Sequence, residues 1–206
     1  MITMSVLNQR YPCRTRDRLW YREIKTATDK ILVGNLTIAD IGKASLDDNI
    51  FNASSVSRAK EIAQVVSRRI NAVDSAYLFF FATRNTENQQ LLCIVMVMLT
   101  DHSFFEFMDT VYREKLIQHD DILRDSDIMG FFHRLQEKDE SAAKWTDAGI
   151  KKAIDNYKSM LKEAGMLSES GVERKIIRPI LDKEMEDFLR SEGLARIYKI
   201  LAGERE

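Results

Sequence analysis

Asp120, Asp121, Asp125 and Asp127 fall within eight residues, and oxygen ligands this close are the raw material of a divalent-cation site. Their spacing does not follow the calcium loop of an EF-hand. They also stand where the helix dipole favours negative charge, so they read as helix caps and solvated loop. His102, His119 and His133 are scattered, with no pair at metal-ligand spacing, and read as surface or capping histidines. Cys13 and Cys93 are the only cysteines. Two thiols make neither a disulfide framework nor a zinc site, which fits a reducing cytoplasm. No Gly-rich phosphate loop, nucleophile elbow or HExxH motif occurs. The expectation is a non-enzymatic protein with no cofactor and no metal.

The cations carry the more specific signal. From Trp145 to Pro179 the chain reads as a helix, a glycine stop, a turn and a basic strand. Thr146 can cap the helix and Asp147 adds charge in its first turn. Ile150, Ile154, Tyr157, Leu161 and Ala164 recur at helical spacing. Gly165 can take the left-handed conformation that ends a helix. Met166 and Leu167 can fold back onto the core. The SESG run from Ser168 supplies a turn, and Arg174 to Arg178 has the content of a short strand ended by Pro179. This is the order of a winged helix-turn-helix, which docks its second helix in the major groove. Lys151, Lys152, Asn156 and Lys158 are then the candidates for phosphates and base edges, with Arg174 and Lys175 on the wing. A solvated face of an amphipathic helix accounts for the same lysines.

A second helix-turn-helix is expected between residues 37 and 73. Thr37 caps a short helix to about Leu46, and Ser54 or Ser55 opens a longer one. Val56, Ala59, Ile62, Ala63, Val66, Ile70 and Val73 form its apolar stripe. Arg58, Lys60 and Arg68 face elsewhere, with Arg69 on the border. Bundle packing with solvated arginines competes with nucleic-acid contact here.

The elements that must position these side chains are helical almost throughout. Of 206 residues, two are proline and eight glycine, too few to interrupt long periodic stretches. Residues 1–16 read as an irregular arm with Arg10, Arg14 and Arg16. A helix is expected from Asp17 to Val33, one capped by Ser103, and a last one from about Asp182 to Leu201. Strand is confined to a small hairpin near residues 166 to 178. Leu91 to Leu99 is the longest apolar run; its nine residues are about half of what a bilayer requires, so a buried core helix is expected. The N-terminus lacks the apolar centre of a secretory signal, and a cytoplasmic protein is expected. The formal charge of −1 neither announces nor excludes a nucleic-acid binder, since placement of charge decides.

The order of these features resembles the BrxA family of bacteriophage exclusion (BREX) defence systems. The resemblance runs from about residue 17 to the end. It is carried by Asn49-Ile50-Phe51, Ser57-Arg58-Ala59-Lys60, Ser67-Arg68-Arg69-Ile70, Trp145-Thr146, Leu161 to Leu167, Ile177 to Leu181 and Leu201-Ala202-Gly203. It implies a monomeric, all-helical, non-enzymatic protein that binds double-stranded DNA beside other BREX components. No family motif fixes the contact residues, so Arg58, Lys60, Arg68, Arg69, Lys151, Lys152, Asn156, Lys158, Arg174 and Lys175 rest on helix faces. The expected division is an N-terminal helical domain over 1–120 and a winged-helix-like domain over 121–206. The rival reading is an adaptor that docks another BREX subunit without touching DNA.

Overall fold

The computed structural model describes residues 5–168 and 174–205. Its first long helix, α1 (Tyr21–Leu32), begins four residues later than the periodicity predicts. Trp20 takes a left-handed conformation at φ 57°, and Asp17 is drawn instead into an ion pair with Arg68. A short 3-10 turn (Ile38–Asp40) leads into α2 (Ile41–Asp47). Ser55 caps α3 (Val56–Ile70), its hydroxyl accepting the Arg58 amide at 3.2 Å. Ala59, Ile62, Ala63, Val66 and Ile70 are buried as the stripe predicts, whereas Val56 is exposed.

The centre is α5 (Thr86–Thr100), which follows α4 (Ser75–Thr83). Every residue from Leu91 to Thr100 is buried, because α5 touches α1, α3 and α4 as well as later elements. Burying a large aliphatic side chain stabilises by about 1.5–3 kcal/mol, so this one run is a leading contributor to the core. No single helix among the described residues is long and apolar enough to cross a membrane. The following helix is capped by Asp101, whose carboxylate accepts the Phe104 amide at 3.0 Å. Ser103, the cap expected from sequence, lies inside it and donates its hydroxyl to the Pro12 carbonyl. That helix comprises α6 (His102–Phe107), a π turn (Met108–Tyr112) and α7 (Arg113–Gln118).

Beyond it come β1 (Ile122–Leu123), α8 (Asp125–Lys138) and α9 (Asp147–Glu163). Thr146 caps α9 through the Gly149 amide, and Gly165, at φ +68°, closes it. Met166 and Leu167 turn back into the core. Leu167 bridges Ile176, the expected hairpin, while β2 (Arg174–Lys175) pairs antiparallel with β1 on its other side. Sequence gave no warning of that partner, since two residues are too few for a period-2 pattern. Of the expected SESG turn, only Ser168 lies inside the described residues.

The expected last helix is two: α10 (Lys183–Ser191) and α11 (Ala195–Ala202). Gly193 at φ 82° breaks them, a conformation that glycine adopts without the steric cost other residues meet. The all-helical expectation holds, and strand among the described residues is limited to this small sheet. Apolar side chains from Leu19 to Leu201 join in one buried cluster.

Candidate nucleic-acid interface

Helices α3 and α9 line one cleft, and the arm at residues 14–18 runs along it. Thr15, Arg16, Arg18, Arg58, Glu61, Lys152, Asp155, Asn156 and Ser159 surround a cavity of about 600 Å³. A neighbouring cavity of about 400 Å³ adds Arg14, Asp17, Lys60 and Arg68. Together they collect seven arginines and lysines against three carboxylates. In a chain of net charge −1, that is a local cationic concentration, and clefts focus such fields.

The cations divide into two groups. Arg16, Arg18, Lys60 and Lys152 are exposed and form no ion pair with any other described residue. Arg58 is intermediate: it pairs with Glu61 at 2.8 Å, and its guanidinium lies 4.4 Å from the centre of the Trp20 ring. The remaining charges hold the protein together. Arg68 pairs with Asp17, and burial lowers its pKa, with Asp17 opposing that shift. Arg14 reaches both Asp17 and Asp101 at 3.6 Å. Burial pushes the Asp101 carboxyl up to about 6, against the Phe104 amide and Arg14, which favour its charged form.

Three residues expected to contact DNA are therefore corrected. Arg69 is only 1% exposed and donates to the Leu19 carbonyl; burial lowers its pKa to about 10. The border position on the α3 wheel falls under the segment preceding α1. Asn156 is 8% exposed, its amide donating to the Arg14 carbonyl at 3.3 Å. Lys158 is 7% exposed and pairs with Asp125 and Asp155, each at 3.0 Å. Helix α9 is covered on more than one side, which a single apolar stripe does not reveal.

The two residues expected on a wing, Arg174 and Lys175, are committed only in part. Arg174 pairs with Asp125 at 2.8 Å, so Asp125 joins β2 to α9 from the start of α8. Lys175 and Lys151 are exposed but do not line the cleft. Two other acids of the suspected metal cluster have structural partners too. Asp120 and Asp127 both pair with Lys115, at 2.7 and 2.9 Å, and Asp127 accepts the Arg124 amide that opens α8.

Thus Arg58, Lys60 and Lys152 meet in one place as cleft cations, joined by two residues that helix faces could not supply. Arg16 and Arg18 belong to an irregular segment, where helical periodicity has no meaning. Their only signal is compositional, the run of arginines Arg10, Arg14, Arg16 and Arg18 near the N-terminus.

Fold and cleft define an all-helical protein with a small sheet and a basic face. The sequence model of the BrxA family matches residues 14–193. A BREX protein BrxA of Bacillus cereus (strain H3081.97) is 32% identical over 165 residues, 80% of this chain and 82% of that protein. The fold is also similar to the crystal structure of an uncharacterized protein from Magnetospirillum magneticum. That match has a TM-score of 0.78 and covers 95% of this chain and 99% of the other, at 16% identity. The chain belongs to the BrxA family and is a component of a BREX phage-defence system.

Proposed function

We propose that this chain is a non-enzymatic component that holds double-stranded DNA through the cleft between α3 and α9. The observation that carries this reading is the convergence of Arg16, Arg18, Arg58, Lys60 and Lys152 on one face. A cavity of about 600 Å³ takes a short run of sugar–phosphate backbone. The duplex would lie across its mouth, with one strand's phosphates inside. Cations on phosphates give affinity with little sequence preference. The order α7, β1, α8, α9, Leu167, β2 supports a winged helix, and α2 with α3 supports a second helix-turn-helix.

The non-enzymatic part is supported by what the reactive groups do. Asp101, Asp120, Asp125 and Asp127 cap helices or neutralise cations. Burial raises the Cys93 and Cys13 thiols above their ordinary pKa, away from the reactive thiolate. A monomer working in the cytoplasm beside other BREX components belongs to the same proposal.

Reversing Lys60 and Lys152 together, Lys60→Glu with Lys152→Glu, tests it. Both are exposed, so unfolding temperature should hold while duplex affinity falls at least about tenfold, or about 1.4 kcal/mol. Unchanged affinity in the folded variant would remove the cleft from the account.

One observation favours the adaptor instead. Ile180 is 87% exposed and Ile177 47% exposed, and with Pro179, Leu91 and Ala164 they line a groove of about 270 Å³. Exposed apolar side chains beside a groove are a feature of protein-docking surfaces. Charge reversal in the cleft would leave such docking intact.

A further inference from the structure

Residues 9–20, which carry Arg16 and Arg18, form no helix or strand. They are tied instead to several different parts of the fold. Asp17 pairs with Arg68 of α3. Arg14 lies 3.6 Å from Asp101, the cap between α5 and α6, and its carbonyl accepts the Asn156 amide of α9. Just upstream, Ser103 donates to the Pro12 carbonyl at 2.8 Å, and the Tyr11 ring stacks on His102 at 4.2 Å. The two cations set free by this arrangement, Arg16 and Arg18, flank the residue that makes the first of these ties.

We propose that Asp17 is a positioning residue for DNA, an acid inside the basic cleft that binding requires. By latching the arm to Arg68, it holds Arg16 and Arg18 where a duplex backbone passes. This rests on the DNA reading given above. Taken as charge alone, a carboxylate among phosphate-binding cations repels DNA, and removing it should tighten binding. As a latch, its removal leaves the cations in place chemically but lets the arm leave its position, so ordering the arm must be repeated at each binding event. Asp155 and Glu61 are acids of the same cleft that tie only neighbours on their own helices, and charge alone should govern them.

The test is titration of a fluorescein-labelled duplex with the full chain, its Asp17→Asn variant and, as control, Asp155→Asn. Asp17→Asn should weaken binding at least about fivefold, while Asp155→Asn binds as well as the parent or better. In the free protein, trypsin should cut after Arg16 or Arg18 sooner in Asp17→Asn than in the parent, with unchanged cutting elsewhere. Equal or tighter binding by folded Asp17→Asn would overturn the proposal. Should that variant not fold, Arg16→Ala with Arg18→Ala, both exposed, decides. It should lower the magnitude of the salt slope by about two, at about 0.9 per phosphate contact, and an unchanged slope overturns the arm's role. If the parent binds no duplex at low salt, the DNA reading itself falls. The trypsin comparison still reports whether the latch exists.

Discussion

Asn156 of α9 donates its side-chain amide to the backbone carbonyl of Arg14, 3.3 Å away. A residue placed by helix spacing to read bases is thereby spent on fixing the arm. The same helix loses Lys158 to Asp125 and Asp155, and keeps Lys151 and Lys152 for solvent. Structural and binding roles on α9 are therefore separable by mutation.

Lys158→Glu should destabilise the fold, whereas Lys151→Glu should not. The first places a third carboxylate beside Asp125 and Asp155 at a site 7% exposed. Breaking a fully buried pair costs about 3–5 kcal/mol; because both acids here are more than half exposed, about 2 kcal/mol is expected. Thermal unfolding reads this as a fall of about 4–8 °C. Equal midpoints for the two variants would show that Lys158 is not structural.

Glycine 203 ends α11 at φ +67°, and a Cβ there would sit 2.7 Å from Leu116 Cβ. Leu116 Cβ is fixed to the α7 backbone and cannot swing away. Gly203→Ala therefore combines a left-handed alanine with overpacking, about 2–4 kcal/mol in all. Gly34→Ala meets nothing within 4 Å at φ +75° and should cost only about 1–2 kcal/mol. Denaturant unfolding of the two variants checks the order. A Gly34→Ala variant as damaged as Gly203→Ala would show that contact with Leu116 does not matter.

The all-helical architecture, the core helix, the Ser55 and Thr146 caps and the Gly165 stop were legible because each rests on local spacing or backbone chemistry. What eluded the pattern depends on distant partners. Asp17 leaves the expected start of α1 for Arg68, fifty-one residues on; Ile122–Leu123 pairs with Arg174–Lys175 across two helices. Of the site, Arg58, Lys60 and Lys152 were legible as polar faces of amphipathic helices. Arg69 and Lys158 were misplaced because helical wheels give one face, while these helices are covered on several. Arg16 and Arg18 lie in a segment with no period to read.

Asp101 should make stability depend on pH in the direction opposite to an ordinary paired carboxylate. Its folded pKa, raised to about 6 by burial, lies above the usual unfolded value of about 3.9. The native state then holds the proton more tightly. This contribution is fully present below about pH 4 and is lost as pH rises through about 6. Two pH units correspond to about 3 kcal/mol. The groups facing it are Arg14, Arg68, Asp17 and the Phe104 amide. Asp101→Asn keeps a capping side chain and removes the proton. The stability of the parent minus that of the variant should fall by about 2–3 kcal/mol from pH 4 to pH 7. A constant difference would contradict the shift.

We propose above that a basic cleft on this BrxA-family chain holds duplex DNA by its phosphates. Anisotropy titration of one labelled duplex at several salt concentrations is the decisive experiment. With five cleft cations, Arg16, Arg18, Arg58, Lys60 and Lys152, log affinity should fall against log salt with a slope of about −4 to −5. The slope should be the same for a second duplex of unrelated sequence. No binding at low salt, or binding whose affinity does not change with salt, would contradict the account and favour the adaptor.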